Sequence, residues 1–323
     1  MSKLSLPVSV GARGSVLKDY AGLLVALLLI VVVFAMIAPS FLSTATFVTV
    51  ANQVPTAILI AIAMTFVLIT GEIDLSVGSV LGLCGAVLGV SMTKLGLGLI
   101  PAAILSILTG AVCGLITGFI VVRWKLPSFI VTLGMLEAAR GSAYLVTNSR
   151  TVYIGEPIVC VSNASVFGVS AIFIFALLLV FIAQIVLTRT VFGRRLIAVG
   201  TNEEAVRLSG IDPRPLKLAV FVISGALVGL ASIVLCSRLG AADPNAGNGF
   251  ELTAIAAAVI GGTSLSGGRG NLISSFFGVL IISVLSAGLA QANASEPTKR
   301  LITGIVIVLA VIVDQIRRSR KDR

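Results

Sequence analysis

The 323-residue chain contains no histidine. This absence removes histidine-ligated metals, histidine general bases and Ser–His hydrolase chemistry, because each of these needs an imidazole. Only four cysteines are present, and no two of them form a C-x-x-C pair. A G-x-x-x-x-G-K-[ST] motif is also absent, so the sequence offers no Walker-type phosphate-binding loop. We therefore expect no cofactor, no bound metal and no enzymatic activity from this chain itself.

Charge is scarce as well. Charged residues make up 11% of the chain and hydrophobic residues 57%, with a mean hydropathy of +1.13. A soluble domain is nearer a quarter charged, so this composition predicts a polytopic membrane protein with the lipid bilayer as its surroundings. The net charge of +10 does not indicate a nucleic-acid partner, because the basic residues cluster between apolar stretches.

Ten apolar windows are long enough to predict membrane spans, and the eighth is the shortest. They are residues 20–38, 55–71, 76–93, 97–122, 127–147, 166–188, 218–237, 252–267, 271–291 and 300–316. The first window is too long for a signal-peptide core and nine more follow it, so we interpret it as an uncleaved span. The fold class predicted is an all-α membrane protein with about ten transmembrane helices.

The distribution of basic residues predicts the orientation. With the N-terminus inside, seventeen of the 23 Lys and Arg residues fall on the cytoplasmic side, as the positive-inside rule requires. Both termini are then cytoplasmic. The chain divides into a cytoplasmic N-terminal segment (1–19), one transmembrane domain (20–316) and a basic cytoplasmic tail (317–323).

The longest predicted cytoplasmic loop, residues 189–217, is unusually charged. Nine charged residues occupy its 29 positions: Arg189, Arg194, Arg195, Glu203, Glu204, Arg207, Asp212, Arg214 and Lys217. Thr201 and Glu204 have the spacing of a capping box, Gly210 suits a left-handed helix end, and Pro213 prevents continuation. The loop therefore contains a helix of about eight residues, or about 12 Å. A charged helix this short has no core of its own, so we expect another protein to hold it.

The turn Gly71–Gly78 (GEIDLSVG) places three candidates for a translocation path, Glu72, Asp74 and Ser76, between the second and third spans. Carboxylates at a membrane edge are costly unless they are solvated, hydrogen-bonded or facing a cavity. Three alternatives remain open for Asp74: it caps the third span, it holds the turn against a basic residue, or it binds polar substrate on a translocation path.

A second turn, residues 261–270, shares the pattern G-x-x-x-L-S-x-G with the first, 190 positions later, and contains Ser264 and Ser266. Its glycines indicate a break in regular helix, which is tolerated at membrane depth only where protein or a cavity covers it. These two serines are further candidates for the path.

Polar residues elsewhere add to the candidates. Glu137 and Arg140 lie three residues apart on one face of the fifth span and form either an internal salt bridge or a substrate contact. Glu251 precedes the eighth span on the predicted outer side.

Small residues at four-residue spacing line the fourth span (Gly110, Gly114, Gly118) and the seventh (Gly225, Gly229). Such faces pack helices closely, either within one subunit or across a dimer.

Taken together, several motifs resemble the permease subunits of the carbohydrate-uptake ABC importers, the ribose, xylose and galactoside branch of the bacterial inner-membrane permeases. The resemblance covers nearly the whole chain. It rests on GEIDLSVG (71–78), TLGM (132–135) with ARG (139–141), FGR (192–194), NEEAVRLSGI (202–211), GFEL (249–252) and GGTSLSGGRG (261–270). Glu137 departs from the small or apolar residue expected there.

The resemblance implies that the chain is one subunit of a larger importer. The helix at 202–210 would be the coupling helix, seated on a separate ATP-binding subunit through Asn202, Glu203, Glu204, Ala205, Arg207, Leu208 and Gly210. A second permease copy or homologue and a periplasmic sugar-binding protein would complete the importer. The resemblance does not identify which sugar is transported.

Two other functions are compatible with a chain of this length and hydropathy. An ion-driven secondary transporter would also have about ten spans, but it favours inverted repeats and needs no capped helix in a charged loop. The two glycine turns are separated by six predicted spans and so share an orientation. A membrane enzyme would need a catalytic constellation, which the sequence does not offer.

Overall fold

The protein is described by a computed structural model that covers residues 13–38, 40–166 and 168–321. Thirteen helices occur in these ranges: α1 (Arg13–Ile37), α2 (Thr44–Ile69), α3 (Val77–Thr93), α4 (Leu99–Trp124), α5 (Ser128–Thr147), α6 (Glu156–Asn163), α7 (Ala171–Arg189), α8 (Val191–Thr201), α9 (Glu203–Leu208), α10 (Arg214–Leu239), α11 (Phe250–Ile260), α12 (Leu272–Gln291) and α13 (Glu296–Lys321). Two antiparallel pairs of two-residue strands complete the fold: β1 (Val152–Tyr153) with β4 (Ala241–Ala242), and β2 (Ser165–Val166) with β3 (Val169–Ser170).

The chain is an all-α membrane protein, and each of the ten apolar windows coincides with a helix. Among the described residues, seven helices are long and apolar enough to cross a membrane: α1 from Tyr20, α2, α4, α5, α7, α10 and α12. Helices α3 and α11 are apolar but shorter. The count of ten crossings and the cytoplasmic position of both termini remain predictions.

Several predicted boundaries were wrong. The eighth window, 252–267, is helical only to Ile260, because the following Gly261 and Gly262 form a turn. Helix α2 begins at Thr44, eleven residues before its window, and includes Pro55. Residues 1–12 of the predicted N-terminal segment and 322–323 of the predicted tail lie outside the described residues. Residues 13–19 belong to α1, and α13 extends to Lys321.

Helix α2 is the centre of the domain. From residue 58 to its end at Ile69 every residue is buried, whereas α4, α5 and α7 each expose an apolar face such as that of Leu115, Ile130 and Leu178. Helices α7, α10, α11 and α12 surround α2 and share a buried apolar cluster with it. Outward-facing leucine and isoleucine side chains are what a helical bundle presents to lipid.

The small-residue faces of α4 and α10 pack against each other within this chain. A Cβ atom added at Gly110 would collide with the carbonyl oxygen of Gly225, and one at Gly114 would collide with that of Phe221. Gly229 lies as closely against Ser106 and Ile107. The two helices therefore touch backbone to backbone, which confirms the interpretation of these faces as contacts within one subunit.

The connections between helices gather at two ends of the bundle. At one end, which we call the coupling-loop end, the stretches after α2, before α5 and after α11 meet α8 and the start of α10. At the opposite end β1 pairs with β4, and Gln291 at the end of α12 donates a hydrogen bond to Thr46 near the start of α2. Alternate connections fall at alternate ends, as expected for a helical membrane protein.

Candidate functional site

The charged loop predicted at 189–217 contains two helices, α8 and α9, of which the sequence indicated only the second. Helix α8 begins at Val191, where the Thr190 hydroxyl accepts a hydrogen bond from Gly193 N–H at 3.2 Å. Its inner face buries Leu196 and Val199. Its amphipathic pattern is the sequence signal that could have revealed it.

The predicted capping box is wrong in its first residue. Thr201 is the last residue of α8, and its hydroxyl donates to the carbonyl of Ile197 at 2.7 Å. The N-cap of α9 is Asn202 instead, whose side-chain oxygen accepts from Ala205 N–H at 2.9 Å. Helix α9 is consequently six residues long rather than eight. Asparagine is as good an N-cap as threonine, so the two neighbours compete for the position and the geometry of α8 decides between them.

Helix α9 is held by one buried side chain and exposes the others. Val206 is 7% exposed, whereas Leu208 is 80% exposed. Glu204 and Arg207 form a surface ion pair at 2.7 Å, one turn apart. Gly210 follows with φ +84°, the left-handed helix end that the sequence predicts. Leu208, Glu204 and Arg207 are therefore all exposed on one short helix at this end of the bundle.

Lys217, in the first turn of α10, connects α9 to a distant part of the chain. Its ammonium group lies 2.6 Å from Glu203 Oε2 on α9 and 2.6 Å from Glu72 Oε1 in the segment after α2. The Lys217 and Glu72 side chains are 14% and 12% exposed, and that of Glu203 is 51% exposed. One cation therefore joins two carboxylates from separate elements.

These ion pairs form one wall of a groove of about 840 Å³ at the coupling-loop end. The groove runs between the last turn of α4, helix α9 and the start of α10. Charges of both signs line it, among them Lys125, Arg207, Asp212 and Arg214. Its mixed charge favours a protein surface over a small anion or cation.

A glycine-rich contact lies next to α9 and joins three connections. Gly268 N–H donates to the carbonyl of Ile69 at the end of α2, at 2.9 Å. A Cβ atom at Gly200, in the last turn of α8, would collide with the same carbonyl. A Cβ atom at Gly267 would meet the carbonyl oxygen of Gly200 at 2.7 Å and the backbone nitrogen of Gly71 at 2.9 Å. We call this contact the glycine junction (Ile69, Gly71, Gly200, Gly267 and Gly268); it packs the two G-x-x-x-L-S-x-G turns together.

Ser264 and Ser266 lie in the turn that contributes Gly267 and Gly268 to this junction. Ser264 is buried, and its N–H donates to the carbonyl of Arg269 at 3.0 Å within the turn. Ser266 is exposed, and its N–H donates to the Ser264 hydroxyl. Their place on a translocation path stays a prediction.

Asp74 is buried inside the bundle and organises the start of α3. Its Oδ1 accepts hydrogen bonds from the Ser76 N–H at 2.9 Å and the Ser76 hydroxyl at 2.6 Å. Its Oδ2 lies 3.5 Å from the hydroxyl of Ser224, ten residues into α10. That places the carboxylate about 15 Å along α10. No Lys or Arg in the described part of the chain forms an ion pair with Asp74.

The basic partner that the sequence left open for this turn belongs to Glu72 instead of Asp74. The connection between α2 and α3 also contains no helix or strand from residue 72 to 76. Ile73 N–H donates to the Ser128 hydroxyl at 3.0 Å, at the start of α5. The segment thus rises from the coupling-loop end into the bundle before α3 begins.

Helices α3 and α11 both start in the interior and run in opposite directions. Gly78 packs so closely on Gly247 that a Cβ atom on either would collide with the other's carbonyl oxygen. From there α3 runs to the opposite end, where Gly89 meets Ala242, and α11 runs to the glycine junction. At 17 and 11 residues they span about 26 and 16 Å, each less than a bilayer core of about 30 Å.

Glu251 lies where these two helix starts meet. Its Oε1 accepts from Gly249 N–H at 3.2 Å, and its Oε2 is buried beside Gly78 with no hydrogen-bond partner within the described ranges. Asp74 and Glu251 therefore place two carboxyl groups near two helix N-termini.

Glu137 and Arg140 lie on one face of α5, but the predicted salt bridge is long. Their charged atoms are 3.9 Å apart, and the Glu137 side chain is 75% exposed. Beside them, Tyr144 donates a 2.7 Å hydrogen bond to the side chain of Asn245, a contact that the sequence analysis missed. A charge exposed at this depth on a membrane helix indicates that water or protein, rather than lipid, covers this face of α5.

The geometry is that of a multi-pass helical membrane protein, in which two short helices start inside the bundle and an exposed helix lies at one end. Residues 46–311 match the family described as branched-chain amino acid transport system / permease component, and the chain belongs to this family. The family predicted from the motifs is confirmed, and with it a place in the bacterial inner (plasma) membrane.

Three relatives are similar to the chain over nearly all of its length. The ribose import permease protein RbsC of Escherichia coli strain K12 is 36% identical over 300 residues, which cover 90% of this chain and 92% of the relative. RbsC of Bacillus subtilis strain 168 is 38% identical over 298 residues, covering 90% of each. The L-arabinose ABC transporter permease protein AraH of Azospirillum brasilense is 33% identical over 316 residues, covering 96% and 92%. No solved structure matched the chain.

Proposed function

We propose that this chain is the membrane-spanning subunit of an ATP-driven importer of monosaccharides and that the helix at 202–210 couples it to a separate ATP-binding subunit. The observation that carries the proposal is α9 itself. It is a capped helix with Val206 as its buried anchor, and it holds out Glu204, Arg207 and the 80%-exposed Leu208 beside a groove of mixed charge. With a single buried side chain the helix gains little stability from its own burial, and this supports contact with a partner as its role.

The substrate class follows from the relatives. They are named for ribose and L-arabinose, both small neutral sugars. A periplasmic sugar-binding protein would deliver the sugar to the opposite end of the bundle. Which monosaccharide this chain carries would then depend on that receptor as well as on the path.

A second permease copy or homologue is part of the proposal. The α5 face that carries Glu137 and Arg140 supports it, because a 75%-exposed carboxylate on a membrane helix is stable only against water or protein. A path between two such faces would be wet and polar. Glu137, Arg140 and Glu251 are the candidates that a sugar would meet there, whereas the burial of Asp74 and Ser76 favours a role in shaping α3.

ATP would act by conformational bias. Closure of the ATP-binding subunits would move α9, and the bundle would exchange between outward- and inward-facing states. ATP drives this exchange only if its binding free energy differs between the two states. The chain itself then needs no nucleotide site.

One observation supports the alternative function, an ion-driven secondary transporter. Discontinuous helices that meet inside the bundle, as α3 and α11 do, are common in secondary transporters. Membership of the permease family and the exposed α9 favour the importer.

Co-purification tests the proposal directly. The tagged chain, expressed with its neighbouring genes and extracted in mild detergent, should bring down an ATP-binding subunit in near-equal amount. Leu208→Asp should abolish this co-purification, because it places a charge in the contact. Leu95→Asp is the matched control, since Leu95 is 65% exposed at the opposite end of the bundle.

Transport by the assembled complex gives the second measurement. Glu204→Ala and Gly210→Pro should lower sugar uptake while the protein still inserts, since proline cannot adopt the positive φ of Gly210. Recovery of the chain without an ATPase, together with sugar uptake driven by an ion gradient alone, would replace the importer with the secondary carrier.

A further inference from the structure

We propose that Lys217 is the positioning residue that passes movement of α9 into the membrane domain, by holding Glu203 and Glu72 at the same time. This inference rests on the proposed function, because it assumes that α9 is the coupling helix. It adds the side chain that connects α9 to the start of α3.

The first step is the geometry of the ion pairs. Glu203 is the first residue of α9, Lys217 lies in the first turn of α10, and Glu72 lies three residues after the end of α2. Both nitrogen–oxygen distances are 2.6 Å. The ammonium group has three donors in no fixed fork, so it can satisfy both carboxylates and follow either one as they move.

The second step is the unequal burial of the two carboxylates. Glu72 is 12% exposed and Glu203 is 51% exposed, and Lys217 is as buried as Glu72. Water screens the outer pair far more than the inner pair. The inner pair with Glu72 is therefore the stronger of the two, and the outer pair with Glu203 is the adjustable one through which a shift of α9 acts on Lys217.

The third step is the connection from Glu72 to the start of α3. Two residues after it, Asp74 holds Ser76 N–H at the entry to α3, and Ile73 is tied to Ser128 of α5. A displacement of Glu72 thus acts directly on the segment that sets where α3 begins. On the other side of α9, the glycine junction fixes the end of α8 against Ile69. Helix α9 consequently pivots between a rigid backbone contact and an adjustable ionic one.

The experiment compares single and double variants in the complete complex. Lys217→Met removes the cation at nearly constant size, and sugar uptake in proteoliposomes should fall about tenfold, within the range of usual coupling effects. The ATP-binding subunit should still co-purify, and basal ATP hydrolysis should stay near that of the unmodified complex. Lys94→Met, an exposed lysine at the end of α3, is the control and should transport normally.

A second variant separates coupling from folding. Glu72→Gln combined with Lys217→Met removes the uncompensated inner carboxylate, so any loss of insertion in the single variant should be recovered. Uptake should nevertheless stay low, because the connection to Glu203 is missing. Glu72→Gln alone should reduce uptake more than Glu203→Gln, since the inner pair is the less exposed. We call the proposed connection from Glu203 through Lys217 to Glu72 the relay. Full recovery of uptake in the double variant would show that Lys217 only neutralises the charge of Glu72, and this result would overturn the relay.

The Leu208→Asp variant distinguishes failure of the relay from failure of the proposed function. If Leu208→Asp leaves the complex and its uptake intact, α9 is not the coupling helix and both ideas fail. If Leu208→Asp abolishes the complex while Lys217→Met transports normally, the coupling helix stands and the relay alone is wrong.

Discussion

Replacing Asp74 by asparagine or by alanine separates the two remaining roles of this carboxyl group. Asparagine keeps an oxygen that can accept from the Ser76 N–H and hydroxyl, now at 2.9 and 2.6 Å. Its amide nitrogen can donate to Ser224 where Oδ2 now lies 3.5 Å away. Since no cation in the described part of the chain pairs with Asp74, asparagine loses no ion pair. We expect Asp74→Asn to fold and to transport nearly as the unmodified protein does.

Alanine has a different effect because it removes the acceptor. The buried Ser76 N–H would lose its partner, which costs about 1–3 kcal/mol of unfolding free energy. Thermal unfolding in detergent and sugar uptake in proteoliposomes measure both variants, and Asp74→Ala should be less stable than Asp74→Asn by that amount. If Asp74→Asn inserts and unfolds normally but transports as poorly as Asp74→Ala, the negative charge itself is required. That result would refute the capping role and return Asp74 to the translocation path.

Three further predictions concern packing and topology. Gly225→Ala should unfold more easily than Gly134→Ala by about 1–3 kcal/mol in a denaturant titration, because a Cβ at Gly225 meets the backbone of α4 and one at Gly134 meets open space; equal stabilities would contradict the backbone contact. Cys160 is the one exposed cysteine of the four, so an impermeant maleimide should label it in intact spheroplasts and not label the others; no labelling until the membrane is opened would reverse the topology. A cysteine introduced at Ala205, on α9, should react only from the cytoplasmic side, and labelling from outside would have the same consequence.

The helices were largely predictable because apolar length is a local property. Each of the ten windows coincided with a helix, since twenty apolar residues in lipid have no other way to satisfy their backbone groups. The boundaries were less predictable. The window at 252–267 includes Gly261 and Gly262, which do not lower its hydropathy enough to mark a boundary. In the structure Gly262 has φ +85° and the helix ends before it.

The contacts that define the site were beyond local prediction. Glu72 and Lys217 are 145 positions apart, and nothing in the periodicity of either segment indicates the other. The glycine faces of α4 and α10 were visible in the sequence, but their pairing required the fold. The same holds for Gly78 and Gly247, which bring the starts of α3 and α11 together. The sequence patterns therefore identified which residues take part in contacts, but only the folded structure showed which residues contact each other.

Helices α4 and α10 pack tightly against each other, whereas α3 starts inside the bundle after an irregular segment. The proposed relay would act on that segment. Helices α4 and α10 touch backbone to backbone, so no side chain can rearrange to let them slide. Helix α3, in contrast, begins after a segment without helix or strand (residues 72–76) that is held by a few hydrogen bonds, among them that of Ile73 to Ser128. If α9 couples the chain to an ATPase as proposed, we expect a force applied at α9 to displace residues 72–76 before it separates α4 from α10. Because Lys217 belongs to rigid α10 and still holds Glu72, it is placed to convert a shift of α9 into a shift of that segment.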